Sequence, residues 1–147
     1  SKISPQQTKE IIDRYDSKIQ KLLLKTVDGY VFALAHEIAH YGYLNNRVLS
    51  SHQIEYSCDL MSSEFCERKQ DLQFCASRIG VCKYYICLLT EINRLCFSDP
   101  KQLEEFEKTM NEMFESQSQD DTHPSNLKRL SKLGYNLEDL QALFMED

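Results

Sequence analysis

Glycine and proline, the residues that most often end helices and form tight turns, are scarce in this sequence. Its 147 residues include four glycines and three prolines. We also find no convincing run of alternating apolar and polar residues, which is the pattern of a half-buried β-strand. We therefore expect a mostly α-helical protein with long helices and few tight turns. The length predicts a single domain over residues 1–147 that is large enough to bury a core.

An excess of basic residues is also missing. The formal net charge is -6, and the acidic residues are spread along the chain. Surfaces that bind nucleic acids are normally basic, so we expect no nucleic-acid partner. The longest apolar run, from Val81 to Thr90, contains Lys83 and is too short to span a bilayer. We therefore expect no membrane span in this chain, and we recognise no signal peptide.

The six cysteines lack the spacing of a zinc knuckle. They stand at positions 58, 66, 75, 82, 87 and 96, and no two of them form the CxxC pair that such a site needs. The favoured interpretation is that they are small buried hydrophobic residues in a reducing compartment. This interpretation predicts a cytoplasmic protein, and disulfides between helices are the alternative.

Helix-start signals recur along the chain. Each combines a capping Ser, Asp, Asn or Thr with a Pro or Gln in the first turn, or precedes a run of apolar residues with helical spacing. The third helix is expected to end near Lys69, and Gly80 is either tolerated within the fourth or kinks it. The predicted helices start at or near Ser4, Val31, Ser50, Asp71, Asp99, Thr122 and Asn136.

His36, Glu37 and His40 form the pattern HExxH within an apolar run of helical spacing, from Val31 to Tyr43. Residues four apart lie one turn apart on the same helix face, so both imidazoles can bind one zinc ion. Glu37 is about 100° around the helix and can reach a water molecule bound to that zinc. This is the arrangement of a metallopeptidase, in which the glutamate takes a proton from the water.

The same pattern also occurs in ordinary helices, so its surroundings matter. Apolar residues at positions 31, 32, 34, 35, 38 and 39 predict that this helix is largely buried. Buried imidazoles need polar partners, and a metal ion is one such partner. Backbone carbonyl groups are the alternative.

Two acids follow one loop after the histidines. Glu55 and Asp59 are four residues apart and share a helix face. Glu55 is predicted to be the third zinc ligand. Asp59 is predicted to accept the free N–H of a ligand histidine and so to fix its tautomer. His52, Asp59 and Glu64 are alternative ligands, and two solvated acids on a surface helix are the alternative without metal.

A third pattern is Thr122-His123-Pro124, followed by Arg129. On local grounds it predicts a helix start, with Thr122 as the N-cap and Pro124 in the first turn. By this interpretation alone, His123 is a surface residue.

Three motifs of the sequence, in their order along the chain, resemble those of the gluzincin metallopeptidases. They are HEIAH at 36–40, ExxxD at 55–59 and THPxxxxR at 122–129. The motif order is similar to the branch that holds the CAAX prenyl endopeptidases, the bacterial membrane heat-shock endopeptidases and the small soluble minigluzincins. The short interval before Glu55 is also similar to phage-exclusion-type soluble zinc peptidases. The metzincin pattern is excluded because Asn46 stands where its third histidine would be.

The resemblance implies a zincin-like helical domain that uses zinc to hydrolyse a protein or peptide substrate. Cys58 departs from it, because a small residue is usual at that position. The implied zinc ligands are His36, His40 and Glu55. The implied general base is Glu37, the implied oxyanion stabiliser is His123, and the implied structural partner is Arg129.

Two other functions remain open at this point. One is a non-catalytic protein-binding module on the same scaffold with structural zinc, and the other is a helical interaction domain without metal. Tyr41, Tyr43 and Tyr84 are alternative oxyanion donors. Zinc peptidases often align the substrate along an edge strand, so we expect a short strand near Lys25 to Asp28 or a missing sheet.

Overall fold

The structure is a computed structural model that describes residues 3–67 and 69–145, and the side chains of residues 3–67 and 69–142. Short 3-10 turns, Val27–Gly29 and His40–Tyr43, flank the second helix. These ranges contain no strand, so the prediction of a mostly α-helical fold is confirmed. The described residues form seven α-helices: α1 (Pro5–Thr26), α2 (Tyr30–Ala39), α3 (Ser51–Phe65), α4 (Gln70–Cys96), α5 (Pro100–Glu115), α6 (Asn126–Lys132) and α7 (Leu137–Met145).

Capping boxes determine where α1 and α3 begin. The Ser4 hydroxyl accepts a hydrogen bond from the backbone N–H of Gln7, and the Gln7 side chain accepts one from the N–H of Ser4. Ser50 and Gln53 repeat this exchange at α3. Each box satisfies two backbone donors that the helix itself leaves unpaired. Both predicted starts are therefore confirmed.

Helix α4 lies at the centre of the bundle and contacts each of the other six helices. It runs through Gly80, which is buried, as one continuous helix. Burying apolar side chains is the main favourable contribution to folding, so this core holds the bundle together. The core joins side chains of α2, α4, α6 and α7, namely Phe32, Leu72, Cys75, Ala76, Ile79, Leu130 and Leu140.

Two close contacts position α2. At its N-terminal end, Gly29 approaches α4 so closely that an added Cβ would lie 2.8 Å from the Cβ and the backbone nitrogen of Phe74. The buried Ser62 hydroxyl of α3 donates a hydrogen bond to the carbonyl of Phe32, which lies one turn before His36 on α2. These contacts hold α2 against α3 and α4, and they fix the height at which His36 faces α3.

The prediction that α2 is largely buried is wrong for one side of the helix. Phe32 and Ala39 are buried, but Val31, Leu34 and Ile38 are 49%, 64% and 59% exposed. Helices α3 and α4 pack against α2 and cover its other side. The apolar character of the sequence is thus not matched by burial on the outer side.

Two predicted boundaries also need correction. Helix α3 ends at Phe65 rather than near Lys69, because the backbone of Cys66 is extended, with φ -85° and ψ 142°. The segment from Lys25 to Asp28, where a short strand was expected, is helical. It comprises the end of α1 and part of the 3-10 turn that follows.

Thr122 is not a helix cap, contrary to the sequence-based prediction. Helix α6 begins after Ser125, whose hydroxyl accepts a hydrogen bond from the backbone N–H of Lys128. Pro124 and Ser125 are buried at this start. Thr122 and His123 therefore belong to the loop that precedes α6.

All six cysteines are free thiols, so the alternative of disulfides between helices does not hold in this structure. Cys58 and Cys75 are buried and the other four are partly exposed. Within the described ranges, none of the helices combines the length and the apolarity that crossing a bilayer requires.

Candidate metal centre

Side chains from α2, the turn after it and α3 converge at one point. The Nε2 atoms of His36 and His40 are 3.1 Å apart. Glu55 contacts both rings, with Oε2 at 3.0 Å from Nε2 of His36 and Oε1 at 3.1 Å from Nε2 of His40. One ligand atom from each residue lies within 4.8 Å of the others, so the group can hold a metal ion.

The donor set fits a zinc ion with three protein ligands. Imidazole nitrogen and carboxylate oxygen bind zinc at about 2.0–2.2 Å, which separates the donors of a tetrahedral site by about 3.3–3.5 Å. The observed separations of 3.0 to 3.1 Å are only slightly shorter. Imidazole ligands favour zinc and other transition metals over magnesium and calcium, which prefer oxygen.

The contact between the two rings bears on the alternative without metal. Ion pairs with Glu55 need protonated imidazoles, but two Nε2–H groups cannot face each other at 3.1 Å without repulsion. At least one of His36 and His40 must therefore present a lone pair to this point. A metal ion lets both rings present lone pairs, together with the carboxylate oxygens.

Asp59 lies behind His36, on the side away from Glu55. Its Oδ1 is 2.8 Å from Nδ1 of His36, but the N–H is not directed at that oxygen, so the contact is electrostatic rather than a well-aligned hydrogen bond. Arg129 of α6 donates Nε to Oδ2 at 2.8 Å and Nη2 to Oδ1 at 2.7 Å. This bidentate pair fixes the carboxylate. A carboxylate beside Nδ1 favours the tautomer whose Nε2 is free to bind a metal.

The charges of this cluster depend on one another. Burial lowers the pKa of His36, but the carboxylates of Asp59 and Glu55 outweigh that effect and raise the pKa to about 9. Burial raises the pKa of Asp59, whereas Arg129 and His36 hold it below its usual range. The pKa of Glu55 is likewise lowered, because His36 outweighs the effect of burial. Metal binding must therefore displace a proton from His36.

The loop before α6 brings His123 to the cluster. The Asp120 carboxylate accepts hydrogen bonds from the backbone N–H groups of Thr122 and His123, at 2.8 and 2.7 Å. The same oxygen lies 3.1 Å from Nδ1 of His123. These bonds, the one from Thr122 first, hold the pKa of Asp120 at about 2. On the other edge of the ring, Nε2 of His123 is 3.8 Å from Oε1 of Glu55.

The partners of Nδ1 determine the tautomer of His123. An ionised Asp120 only accepts hydrogen bonds, and the Thr122 hydroxyl has an acceptor of its own in Asp120 at 3.0 Å. The single proton of a neutral His123 ring is therefore assigned to Nδ1. Its Nε2 carries a proton, and can act as a donor toward the cluster, when the ring is an imidazolium.

The cluster opens into a cleft with a volume of about 590 Å³. Glu37 is exposed and lines this cleft, as does His123. The structure thus brings every residue of the predicted site into one region, with Asp59 behind it. The cleft is lined by Ala33, His36, Glu37, His40, Glu55, Phe74, Arg78, Ser118, Asp120, His123 and Arg129.

The alternative third ligands lie elsewhere. Nε2 of His52 is 2.9 Å from the backbone carbonyl of Asp120, an oxygen to which it can donate. Glu64 is exposed, close to the C-terminal end of α3. Asp59 faces Nδ1 of His36 rather than the point where the three donors meet. Among the described residues, Glu55 is the acid that completes the group with both histidines.

The alternative oxyanion donors are not part of the cleft. Tyr41 is 75% exposed, and the Tyr43 hydroxyl donates to the sulfur of Met61 at 3.6 Å. The ring of Tyr84 packs near Tyr15, with centroids 6.4 Å apart. Of the groups considered from the sequence, His123 is the one that the structure brings to the cleft.

Sequence reasoning missed two residues of this region. Asp120 was given no role, although an Asp that precedes Thr and His by two and three residues is a signal for a turn in which its carboxylate accepts their N–H groups. Arg78 of α4 also lines the cleft. No local pattern marks it, because the packing of α4 against α2 places it there.

Comparison of the chain with protein-family models, curated proteins and solved structures yields no match.

Proposed function

We propose that this protein is a zinc-dependent metallopeptidase that hydrolyses peptide bonds. The observation that carries the proposal is the convergence of His36, His40 and Glu55 at the floor of an open cleft. Three protein ligands and an accessible side are typical of catalytic zinc sites, whereas structural sites have four protein ligands. When bound, zinc supplies a Lewis acid that polarises the substrate carbonyl and makes water a better nucleophile.

Glu37 is the proposed general base. Its carboxylate lines the cleft beside the ligand histidines, and it accepts a proton as the water oxygen bonds to the carbonyl carbon. The same carboxyl group then gives the proton to the leaving nitrogen as the carbon–nitrogen bond breaks. Protons and electrons balance, and Glu37 returns to its ionised state.

His123 is the proposed stabiliser of negative charge on the carbonyl oxygen. Its ring is held at Nδ1 by Asp120 and Thr122, and Nε2 is directed to the cluster at 3.8 Å from Glu55. A fixed ring can stabilise a developing charge without reorganising during the reaction.

A metal analysis and a peptide-library assay, with and without chelator, test this function. Glu37→Gln should keep one zinc per chain and lose about 10²–10⁴-fold in turnover, because the ligands stay while the base is removed. His123→Phe should also keep zinc and lose about 10²–10³-fold. Glu64→Gln is the matched control, since this exposed acid lies outside the cleft.

The outcomes separate the alternatives. A Glu37→Gln variant with the parent's turnover would exclude this mechanism. One zinc per chain without cleavage of any peptide would favour a binding module with a structural metal. No bound metal after purification, with no uptake on addition of zinc, would leave the cluster as ion pairs within a helical interaction domain.

A further inference from the structure

A second depression adjoins the cleft along α4. It has a volume of about 600 Å³ and lies between α1, α4 and α5. Its walls are mainly apolar, and we call it the apolar groove. Its apolar walls include Leu23, Val81, Tyr85, Ile86, Met110 and Met113.

The apolar groove and the metal cleft share a wall. Arg78 and Ser118 line both of them. A chain that lies across the metal cluster can therefore continue past these two side chains into the apolar groove. This continuity is an argument for a ligand that occupies both.

Arg78 presents a positive charge at this junction. Its guanidinium lies 5.6 Å from the centre of the Phe74 ring, which orients it. Within the described part of the chain, the side chain of Arg78 has no ion pair or hydrogen bond, in contrast to that of Arg129, which is paired with Asp59 in the same cleft. A guanidinium binds a carboxylate with two parallel hydrogen bonds, so an acidic side chain is the complementary group.

The apolar walls indicate what lies beyond that acid. Met110 and Met113 stand on the α5 side and Leu23 on the α1 side. Methionine side chains adapt to apolar groups of different shape, which suits a site that accepts several large residues. Polar or small side chains would bury little surface there and would gain little affinity.

We propose that the apolar groove is the specificity site for the substrate, an extended peptide with an acidic residue followed by large apolar residues on one side of the cleaved bond. The apolar residues occupy the groove and the acid pairs with Arg78. The assignment of this peptide as substrate rests on the proposed peptidase function. The assignment of the groove as a peptide-binding site does not depend on the peptidase function, because binding can be measured without turnover.

Binding is best measured on the Glu37→Gln protein, with fluorescently labelled peptides and anisotropy. The first peptide contains one glutamate followed by three large apolar residues. The second replaces those apolar residues with serines, and the third replaces the glutamate with glutamine. We expect the second to bind at least about tenfold more weakly than the first, because the apolar contacts are lost. We expect the third to bind roughly fivefold more weakly, because the pair with Arg78 is lost.

Two neighbouring leucines on α1 provide a matched pair of variants. Leu23 lines the apolar groove and is 51% exposed, whereas Leu24 is 73% exposed and lies outside it. In the Glu37→Gln background, Leu23→Gln should weaken binding of the first peptide severalfold, and Leu24→Gln should leave it unchanged. Met113→Gln, on the α5 side, should reproduce the effect of Leu23→Gln.

A further variant tests the charge. Arg78→Gln should abolish the difference between the glutamate and glutamine peptides, and Arg78→Lys should restore part of it. Arg47→Gln, at an exposed position outside both depressions, is the control. Equal binding of the first and second peptides, or equal effects of Leu23→Gln and Leu24→Gln, would overturn the proposal. So would a glutamate preference that survives Arg78→Gln.

Cleavage by the parent protein distinguishes failure of this proposal from failure of the proposed function. If the parent cleaves the apolar and serine peptides with equal kcat/KM, the peptidase function stands and the specificity site is wrong. If the expected binding pattern is found but no peptide is cleaved, the groove is a peptide-binding site and the proposed function is wrong.

Discussion

On α2, His36 is 5% exposed, whereas Leu34, on the opposite side of the same helix, is 64% exposed. The inner side carries the titratable ring of His36 beside the buried Phe32 and Ala39, whereas the outer side carries exposed apolar residues, so residue type alone does not predict the burial of this helix. His36 can be buried because Glu55 and Asp59 lie within 3.0 Å of its nitrogens. Polar partners thus allow His36 to share the core-facing side of this helix with Phe32 and Ala39.

Removing the buried guanidinium of Arg129, which supports the inner side of α2 through Asp59, should cause the largest loss of stability. Arg129→Leu leaves the Asp59 carboxylate buried without its bidentate partner. We expect the free energy of unfolding to fall by about 3–5 kcal/mol, measured by urea denaturation of the metal-free protein. Lys132→Leu, on the exposed side of the same helix, is the control. A loss below about 1 kcal/mol for Arg129→Leu would show that Asp59 does not depend on this pair.

The stability of the metal-free protein should depend on pH, because His36 is paired with the carboxylates of Asp59 and Glu55. The pKa of His36 is raised to about 9, so its contribution to stability is complete below about pH 6.5 and is lost as the pH rises through 9. The pKa values of Asp59 and Glu55 are lowered, so their contributions are lost as the pH falls below their usual values. Stability should therefore decline on both sides of about pH 5–6.5, by about 2–3 kcal/mol on the alkaline side.

Thermal melts across this pH range test the prediction, with His36→Gln as the control that should remove the alkaline decline. Adding zinc should reverse that decline, because the ion takes the place of the proton as the pH rises. An alkaline decline of equal size in His36→Gln would assign it to another group.

Crowding at the N-terminal end of α2 should have an intermediate effect. In Gly29→Ala the new Cβ would meet Phe74 atoms at 2.8 Å, so α4 and α2 must separate. We expect a loss of about 1–3 kcal/mol. Gly42→Ala is a matched control, since no neighbouring atom lies within 4 Å of its added Cβ. If both variants have the parent's urea midpoint, the close approach does not hold α2 in place.

Asp59→Asn should weaken the metal site without removing a ligand. The neutral side chain supports the ring of His36 less well, and we expect zinc affinity to fall by about 10–100-fold. Competition with a chelating dye measures this change, and the exposed Asp28→Asn is the control. An unchanged affinity would mean that Asp59 serves only the pair with Arg129.

The smallest effect should come from the outer side of α2. Leu34→Gln and Ile38→Gln change side chains that are 64% and 59% exposed. We expect each to alter the free energy of unfolding by less than about 0.5 kcal/mol. A loss above about 1.5 kcal/mol in urea denaturation would show that this side is covered in solution, and the contrast between the two sides of α2 would disappear.

Much of the secondary structure could be predicted because it depends on short-range interactions. The boxes of Ser4 with Gln7 and of Ser50 with Gln53 involve residues three apart, and their sequence signals were sufficient. The start of α6 was predicted wrongly because Thr122 and Ser125 are both good caps. The choice depends on Asp120, which holds Thr122 in the loop.

For the candidate site, too, the local features could be predicted and the contacts between distant residues could not. The sequence by itself determined that His36 and His40 share one helix face and that Glu55 and Asp59 share another, because residues four apart in a helix lie one turn apart. Only the tertiary structure decided that these faces meet, that Arg129 reaches Asp59, and that Arg78 stands between the cleft and the apolar groove. Those contacts join residues far apart in the chain, and they depend on how the helices pack around α4, which no local pattern encodes.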